Sequence, residues 1–311
     1  MKAISNNIAA IIALFICLLL LLIEPLIFKP YNLVNISKQA ALIAIFAIAQ
    51  SIVLITRGLD LSQGGVITIV SVSVAALCIK LGLPLSILIG LAIGLVCGCI
   101  NGIIISTLNV SSFVVTLGTG FFFQGIALVV SNGQPIFEVT PNFSYIGWGE
   151  LWNIPIIVYI VTALFTIAGW ALNKITFARY FYAIGSNETA STLSGINVFK
   201  VKTTAYIFSG IITALGAVIL ASRINGGHPV EGINTPLQSV AASVIGGVSL
   251  FGGKGSVVGI LLGSVFLAFI SNSLSIMNIS SYYQQIAIGI IIVLAIIIDK
   301  LSSSINLNNK P

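Results

Sequence analysis

Lys254 is the first residue to invite a chemical reading, because it lies in the run Gly252-Gly253-Lys254-Gly255-Ser256. A loop that cradles phosphates needs G-x-x-x-x-G-K-[ST]. Val248 stands where the first glycine belongs, and Gly255 follows the lysine where Ser or Thr should. The run also lies between apolar stretches, with no strand before it, so nucleotide chemistry is not expected here. His228, the one histidine, sits among Gly226, Gly227 and Pro229, as a solvated loop residue would. Ser/His/Asp sets, an H-E-x-x-H run and paired carboxylates inside apolar stretches are all missing from the sequence. Without them there is no proton shuttle and no nucleophile. Cys17, Cys78, Cys97 and Cys99 lie in apolar runs without a nearby His or carboxylate, and read as small buried side chains rather than metal ligands. The sequence thus predicts no enzyme, no metal and no cofactor.

Two sets of polar residues remain. Asp60 follows Arg57 by three residues near the end of an apolar run. It can pair with that arginine or cap the next helix, satisfying free N–H groups; a proton relay is the alternative, although relay acids usually sit deeper in the membrane. Gln50, Asn101, Thr116, Thr119, Gln124 and Asn272 are neutral polar residues among apolar neighbours. They read either as hydrogen bonds between helices or as a weakly polar conduit. Of these, Asn101, Thr116, Thr119 and Gln124 are the pathway candidates, and a conduit without charge suits an uncharged, hydroxyl-rich solute.

The elements that must position these residues follow from charge. Of 311 residues, 58% are hydrophobic and 6% charged. An uncharged stretch runs from Leu81 to Phe137 and another from Gly255 to Ile298. A soluble surface cannot be built from so few charges, whereas an ionised group at the bilayer centre costs about 2.5–3.5 kcal/mol. The chain reads as one all-α, polytopic transmembrane domain over 1–311. Apolar runs predict about ten spans: 8–28, 36–56, 62–79, 84–106, 112–131, 154–173, 203–222, 237–250, 256–274 and 282–298. The first reads as an uncleaved span, since no small-x-small site follows Ile23. The fifth carries Gly118 and Gly120 and the eighth is short, so broken or tilted helices are expected there. Gly90, Gly94 and Gly98, and likewise Gly255, Gly259 and Gly263, recur every four residues and predict close helix contacts. The run Gly58–Gly65 (GLDLSQGG) weakly echoes Gly246–Ser256 (GGVSLFGGKGS), each expected at the inner end of a hairpin.

The net charge of +6 reads as a topology signal rather than as nucleic-acid binding, because no basic run is present. Lys and Arg favour one set of connections, which places both termini in the cytoplasm. Two connections are long. The outer one, about 132–153, carries Trp148 and Trp152 and suits an interfacial belt or a docking surface for an external partner. The inner one, about 174–202, is strongly polar. Its middle, Asn187–Leu193, predicts a short helix capped by Ser186 or Asn187, with Glu188 in the first turn and Gly195 at its end. A short capped helix on a chain with no energy source suits a handle for a separate motor.

This loop, RYFYAIGSNETASTLSGINVFKVK (Arg179–Lys202), resembles the cytoplasmic loop of the ribose-type permeases of bacterial ATP-binding-cassette importers, G-R-x-x-Y-A-x-G-x-N-x-x-A-x-x-L-S-G-I-x-V. Ala178 replaces the usual Gly, and Ser186 takes a position often held by Gly. Further similarity lies in TRGLDLSQGG (Thr56–Gly65, with Arg57 and Gln63 as departures), Asn101-Gly102, FVVTLGT (Phe113–Thr119), SNGQPI (Ser131–Ile136), VIGGVSLFGGKGSVVG (Val244–Gly259) and SSYYQ (Ser280–Gln284). The set leans toward ribose over autoinducer-2, xylose or galactose relatives.

The resemblance implies a homodimeric permease in the bacterial inner membrane, two cytoplasmic ABC ATPases and an external sugar-binding protein. Asn187, Glu188, Ala190, Leu193, Ser194 and Gly195 would form the ATPase-coupling element. Asn132, Gly133 and Pro135 would face the binding protein. Gly58, Asp60, Ser62, Gly252, Gly253 and Lys254 would be structural loop residues. A self-sufficient secondary transporter is the alternative from another class.

Overall fold

The computed structural model describes residues 25–137, 139–140, 142–280, 282–290, 293 and 297. After a short turn at Pro25–Phe28 the chain forms α1 (Pro30–Ile55), α2 (Gln63–Leu81), α3 (Leu83–Leu108) and α4 (Ser112–Ser131). A long connection follows, with α5 (Ser144–Trp148) and a two-residue ribbon of β1 (Glu150–Leu151) against β2 (Ile154–Pro155). Then come α6 (Ile156–Lys174), α7 (Thr176–Ser186), α8 (Glu188–Leu193), α9 (Val198–Ile224), α10 (Thr235–Ile245), α11 (Val257–Ile276) and a last described helix, α12 (282–290). Long apolar helices are the solution a bilayer demands, because each backbone N–H and C=O must find its partner within the chain. Seven of the described helices are long and apolar enough to cross a membrane. Residues 8–24 of the expected span 8–28, with Cys17, fall outside the described residues, as does most of the far end of the span expected at 282–298.

The bundle is built around α1. In its apolar window 78% of residues are buried, against 17% for α6, so α1 is core while α6 turns most of its surface outward. α9 packs against α1 on one side and runs beside α3 on the other. The α3–α9 seam is set by the glycines at four-residue spacing. A methyl at Gly94 would overlap Ala214 and lie 2.5 Å from the carbonyl O of Gly210, and one at Gly98 would overlap the carbonyl O of Tyr206. The second glycine series also works as expected, in that Gly259 and Gly263 of α11 abut the backbone of Gly246 and Ala242.

Two of the expected elements differ. α4 is a single unbroken helix: Gly118 faces open space and Gly120 backs onto Ser62. The span expected at 237–250 is α10, with only 11 residues, about 16 Å at 1.5 Å per residue. It crosses half the bundle. The reason lies before it, where residues 225–234 turn back into the bundle after α9 and use up the other half. Residues 56–62 do the same after α1. The segment after α9 packs on the start of α2, where a methyl on Gly64 would lie 2.7 Å from the carbonyl O of Gly232. The two echoing glycine runs therefore do different work. Residues 58–65 go deep, and 246–256 stay at one face.

Candidate functional site

The face of the bundle that carries α7 and α8 presents one small, well-defined projection. Asn187 is the N-cap of α8, its side-chain Oδ1 accepting from the Ala190 amide at 2.9 Å. Gly195 ends the helix with φ +81°, a left-handed conformation that favours glycine. The Ile196 amide reaches back to the Ser191 carbonyl and that of Gly195 to Thr192, each at 3.0 Å, the paired bonds of a Schellman end. Glu188 pairs with Lys202 of α9 at 2.7 Å. Six residues are too few to hold a helix alone; the two caps and the ion pair supply what length does not. On top, Leu193 is 85% exposed, while Ser191 is buried beneath with its hydroxyl on the Asn187 carbonyl (2.8 Å). Ala190 and Ser194 complete the helix and its end, the Ser194 hydroxyl bonding back to Ala190.

Under α8 lies a seam of backbone contacts. The Gly253 amide donates to the Ile55 carbonyl at the end of α1 (2.9 Å). Gly252 and Gly253 rest on Gly185 and Ser186 of α7. The Tyr182 hydroxyl donates to the Gly255 carbonyl (3.2 Å), and burial pushes its phenol above the usual tyrosine value. Lys254 points outward and is exposed. Arg57 is also exposed and holds φ +69°, a conformation unusual for a residue with a side chain.

The pathway candidates fall together, with one exception, in a second place. Asp60 is buried deep in the bundle rather than at its edge. Its Oδ1 accepts from the Ser62 amide (3.0 Å) and hydroxyl (2.5 Å), and its Oδ2 from the Ser209 hydroxyl (2.8 Å). Ser209 lies midway along α9, about 17 Å from its first residue. The expected pairing with Arg57 is not formed, because the chain turns inward after Arg57 and leaves the guanidinium at the surface while carrying the carboxylate to the centre. Asp60 does not cap α2 either; Ser62 holds the cap position without a side-chain bond to the helix. Gln50 of α1, with its amide oriented as its partners require, bonds the Asp60 carbonyl (2.9 Å) and amide (3.2 Å).

From Ser62 the network continues outward. Asn101 Nδ2 of α3 donates to Ser62 Oγ (2.8 Å), and Thr119 Oγ1 of α4 donates to Asn101 Oδ1 (2.7 Å). Thr116 accepts from the Leu61 amide (3.0 Å). Asn101 and Thr116 are buried, whereas Thr119 is half-exposed. Gln124, two turns along α4, stays apart from this network and is half-buried. Gly58 closes the turn against the Tyr206 hydroxyl. Ser209 and Tyr206 are the contributors that sequence reasoning missed, since a serine in an apolar helix carries no signal until its partner is known.

The opposite face carries Asn132, Gly133 and Pro135. Asn132 (φ +51°) and Gly133 (φ +71°) end α4 with left-handed turns, and the bridge between Ile136 and Gly227 ties this loop to the returning segment after α9. Nearby, Lys38 pairs with Glu150 (3.0 Å), and both Lys38 and Arg223 stack over the Trp148 ring. Trp152 is 84% exposed.

Residues 32–296 match the family described as branched-chain amino acid transport system / permease component. The chain belongs to this family. The permease is 37% identical over 296 residues to the ribose import permease protein of Haemophilus influenzae, covering 92% of this chain and 91% of that protein. It is 35% identical over 305 residues to the ribose import permease protein of Bacillus subtilis, covering 97% and 95%. To the L-arabinose transport system permease protein of Escherichia coli it is 33% identical over 201 residues, covering 65% and 61%. No solved structure matches the chain at a significant level. The family is the permease component of a transport system, so the permease is a multi-pass membrane component and not a catalytic subunit.

Proposed function

We propose that this permease is the membrane subunit of an ATP-driven importer of a neutral sugar, ribose, and that α8 is the handle gripped by a separate cytoplasmic ATPase. The observation that carries the reading is α8 itself: a six-residue helix, capped at both ends and ion-paired to α9, with Leu193 exposed at its crest. A free-standing channel has no use for so well-fastened a projection. Support for ribose comes from two relatives of that name matched over nine-tenths of the chain or more, against an arabinose relative matched over 65%.

In this reading α8 and both termini face the cytoplasm, and the α5 face, with Asn132, Gly133 and Pro135, meets a sugar-loaded binding protein. Two copies flank the pathway. ATP-driven closure of two motor domains draws the two α8 handles together. Each handle pushes through α7 and the 252–253 turn on the end of α1, whose rigid shaft tilts the bundle between two open states. The permease supplies shape and a few neutral hydrogen-bonding groups, and the binding protein supplies affinity.

The test is co-purification and uptake. Glu188→Lys sets like charges against Lys202, and Gly195→Asp strains the helix end. Both variants should insert as dimers yet lose the ATPase. An intact complex with normal ribose uptake from either variant would sink the assignment of α8.

A further inference from the structure

The hydrogen bonds that lead from Asp60 to Thr119 have a direction. A carboxylate can only accept, and the groups facing Asp60 are donors: the Ser62 amide, the Ser62 hydroxyl and the Ser209 hydroxyl. Burying an acid is costly unless it is met by such donors. Because the Ser62 amide can only donate, Oδ1 must accept, and this polarity passes along the chain of bonds. Because the Ser62 proton points to Asp60, the Ser62 oxygen must accept, and it takes its bond from the Asn101 amide nitrogen at 2.8 Å. That turns the Asn101 carbonyl oxygen toward α4, where it takes the Thr119 hydroxyl proton at 2.7 Å. The Thr119 oxygen is left with lone pairs and no proton to offer. It sits at the border of the buried and exposed faces of α4, beside Gly118, which has open space above it. Along this chain it is the only member that is not buried.

We propose that Thr119 is an acceptor-only contact for a hydroxyl group of the solute in the translocation pathway, and that Asp60, two side chains removed, is the positioning residue that fixes its polarity. The ligand class is a neutral polyol. Its O–H groups can donate to Thr119, and a solute lacking that hydroxyl gains nothing there. The inference rests on the transport reading above and names a residue pair within it. If Asp60 is replaced by Ala, the Ser62 hydroxyl loses its acceptor and can donate to Asn101 instead, the bonds can run the other way, and the Thr119 proton keeps only its 3.3 Å contact with the Thr116 carbonyl, from which a solute oxygen can draw it.

The experiment uses the full complex in proteoliposomes, with ATPase, binding protein and ATP, and compares uptake of ribose with uptake of each of its monodeoxy analogues. The ratio of analogue to ribose is read for each variant with the same binding protein, so selection by that protein cancels. Wild type should discriminate against one analogue by about tenfold more than Thr119→Val does, the size of one good hydrogen bond. Thr119→Val should lose that discrimination and Thr119→Ser should keep it. Asp60→Ala should lose it too, Asp60→Asn, whose carbonyl still faces the Ser62 amide, should keep it, and Asp60→Ala combined with Thr119→Val should be no worse than Thr119→Val alone. Complex recovery by size exclusion checks that each variant has assembled. Should Asp60→Ala fail to assemble, the comparison of Thr119→Val with Thr119→Ser still decides the contact. Unchanged discrimination in Thr119→Val, or additive losses in the double variant, would overturn the proposal. A wild-type complex that moves no sugar would instead overturn the transport reading.

Discussion

Replacing Gly185 with alanine should loosen the support beneath α8. The new methyl would overlap the carbonyl O of Ile55 and lie 2.5 Å from the amide N of Gly253. Both are backbone atoms, so neither can swing aside as a side chain would. Relief requires the end of α1 or the 252–253 turn to move. Overpacking of this kind costs about 1–3 kcal/mol. Parting Gly253 from Ile55 also gives up their 2.9 Å hydrogen bond, about 0.5–1.5 kcal/mol net. The sum is roughly 2–4 kcal/mol, concentrated where α8 rests. Gly118→Ala is the control: it is helical, with open space around it, and alanine favours a helix by about 1 kcal/mol. Thermal unfolding in detergent, limited proteolysis and ATPase pull-down read the outcome. Gly185→Ala should melt earlier, be cut early within 186–197 and release the ATPase, while Gly118→Ala should melt no earlier than wild type and keep the ATPase. Equal melting points for the two variants, with the ATPase retained by Gly185→Ala, would refute the seam as a mechanical support.

Asn187→Ala removes the cap on Ala190 and should cost about 1 kcal/mol; faster amide exchange confined to 188–193 is the expected sign, and unchanged exchange there would contradict it. Leu193→Asp should leave the melting point alone, because the side chain is 85% exposed, yet abolish ATPase binding; a bound ATPase would count against Leu193 as its anchor. The Tyr182 phenol has a raised pKa in the folded chain, so its contribution to stability is complete below about pH 10, the unfolded value, and is lost as pH rises through the folded one. Tyr182→Phe should therefore flatten part of the alkaline fall in stability, and superimposable alkaline profiles of the two proteins would rule this out.

What the sequence disclosed divides along physical lines. The uncharged stretches between Lys80 and Glu138 and after Lys254 announced a bilayer-embedded bundle, because solvent is the strongest constraint on composition. Glycines at four-residue spacing located the α3–α9 and α10–α11 seams. Asn187, Glu188 and Gly195 marked α8, because caps are local chemistry. The depth of Asp60 was not legible. Nothing in GLDLSQGG says that the chain turns back into the bundle, and one of the donors that make a carboxyl tolerable there, the serine at 209, lies 149 residues away. The half-length of α10 was hidden for a related reason: residues 237–250 are apolar enough for a span, and what shortens the helix is the space already filled by 225–234. Long-range partners, rather than local preference, decided both.

The most direct test reconstitutes the chain by itself in sealed vesicles and then adds the ATPase, the binding protein and ATP in turn. If α8 is a handle for an outside engine, labelled ribose should stay out until all three are present, and then accumulate against its gradient. Rapid ribose entry through the bare chain would mean that the motor is dispensable and that α8 serves something else.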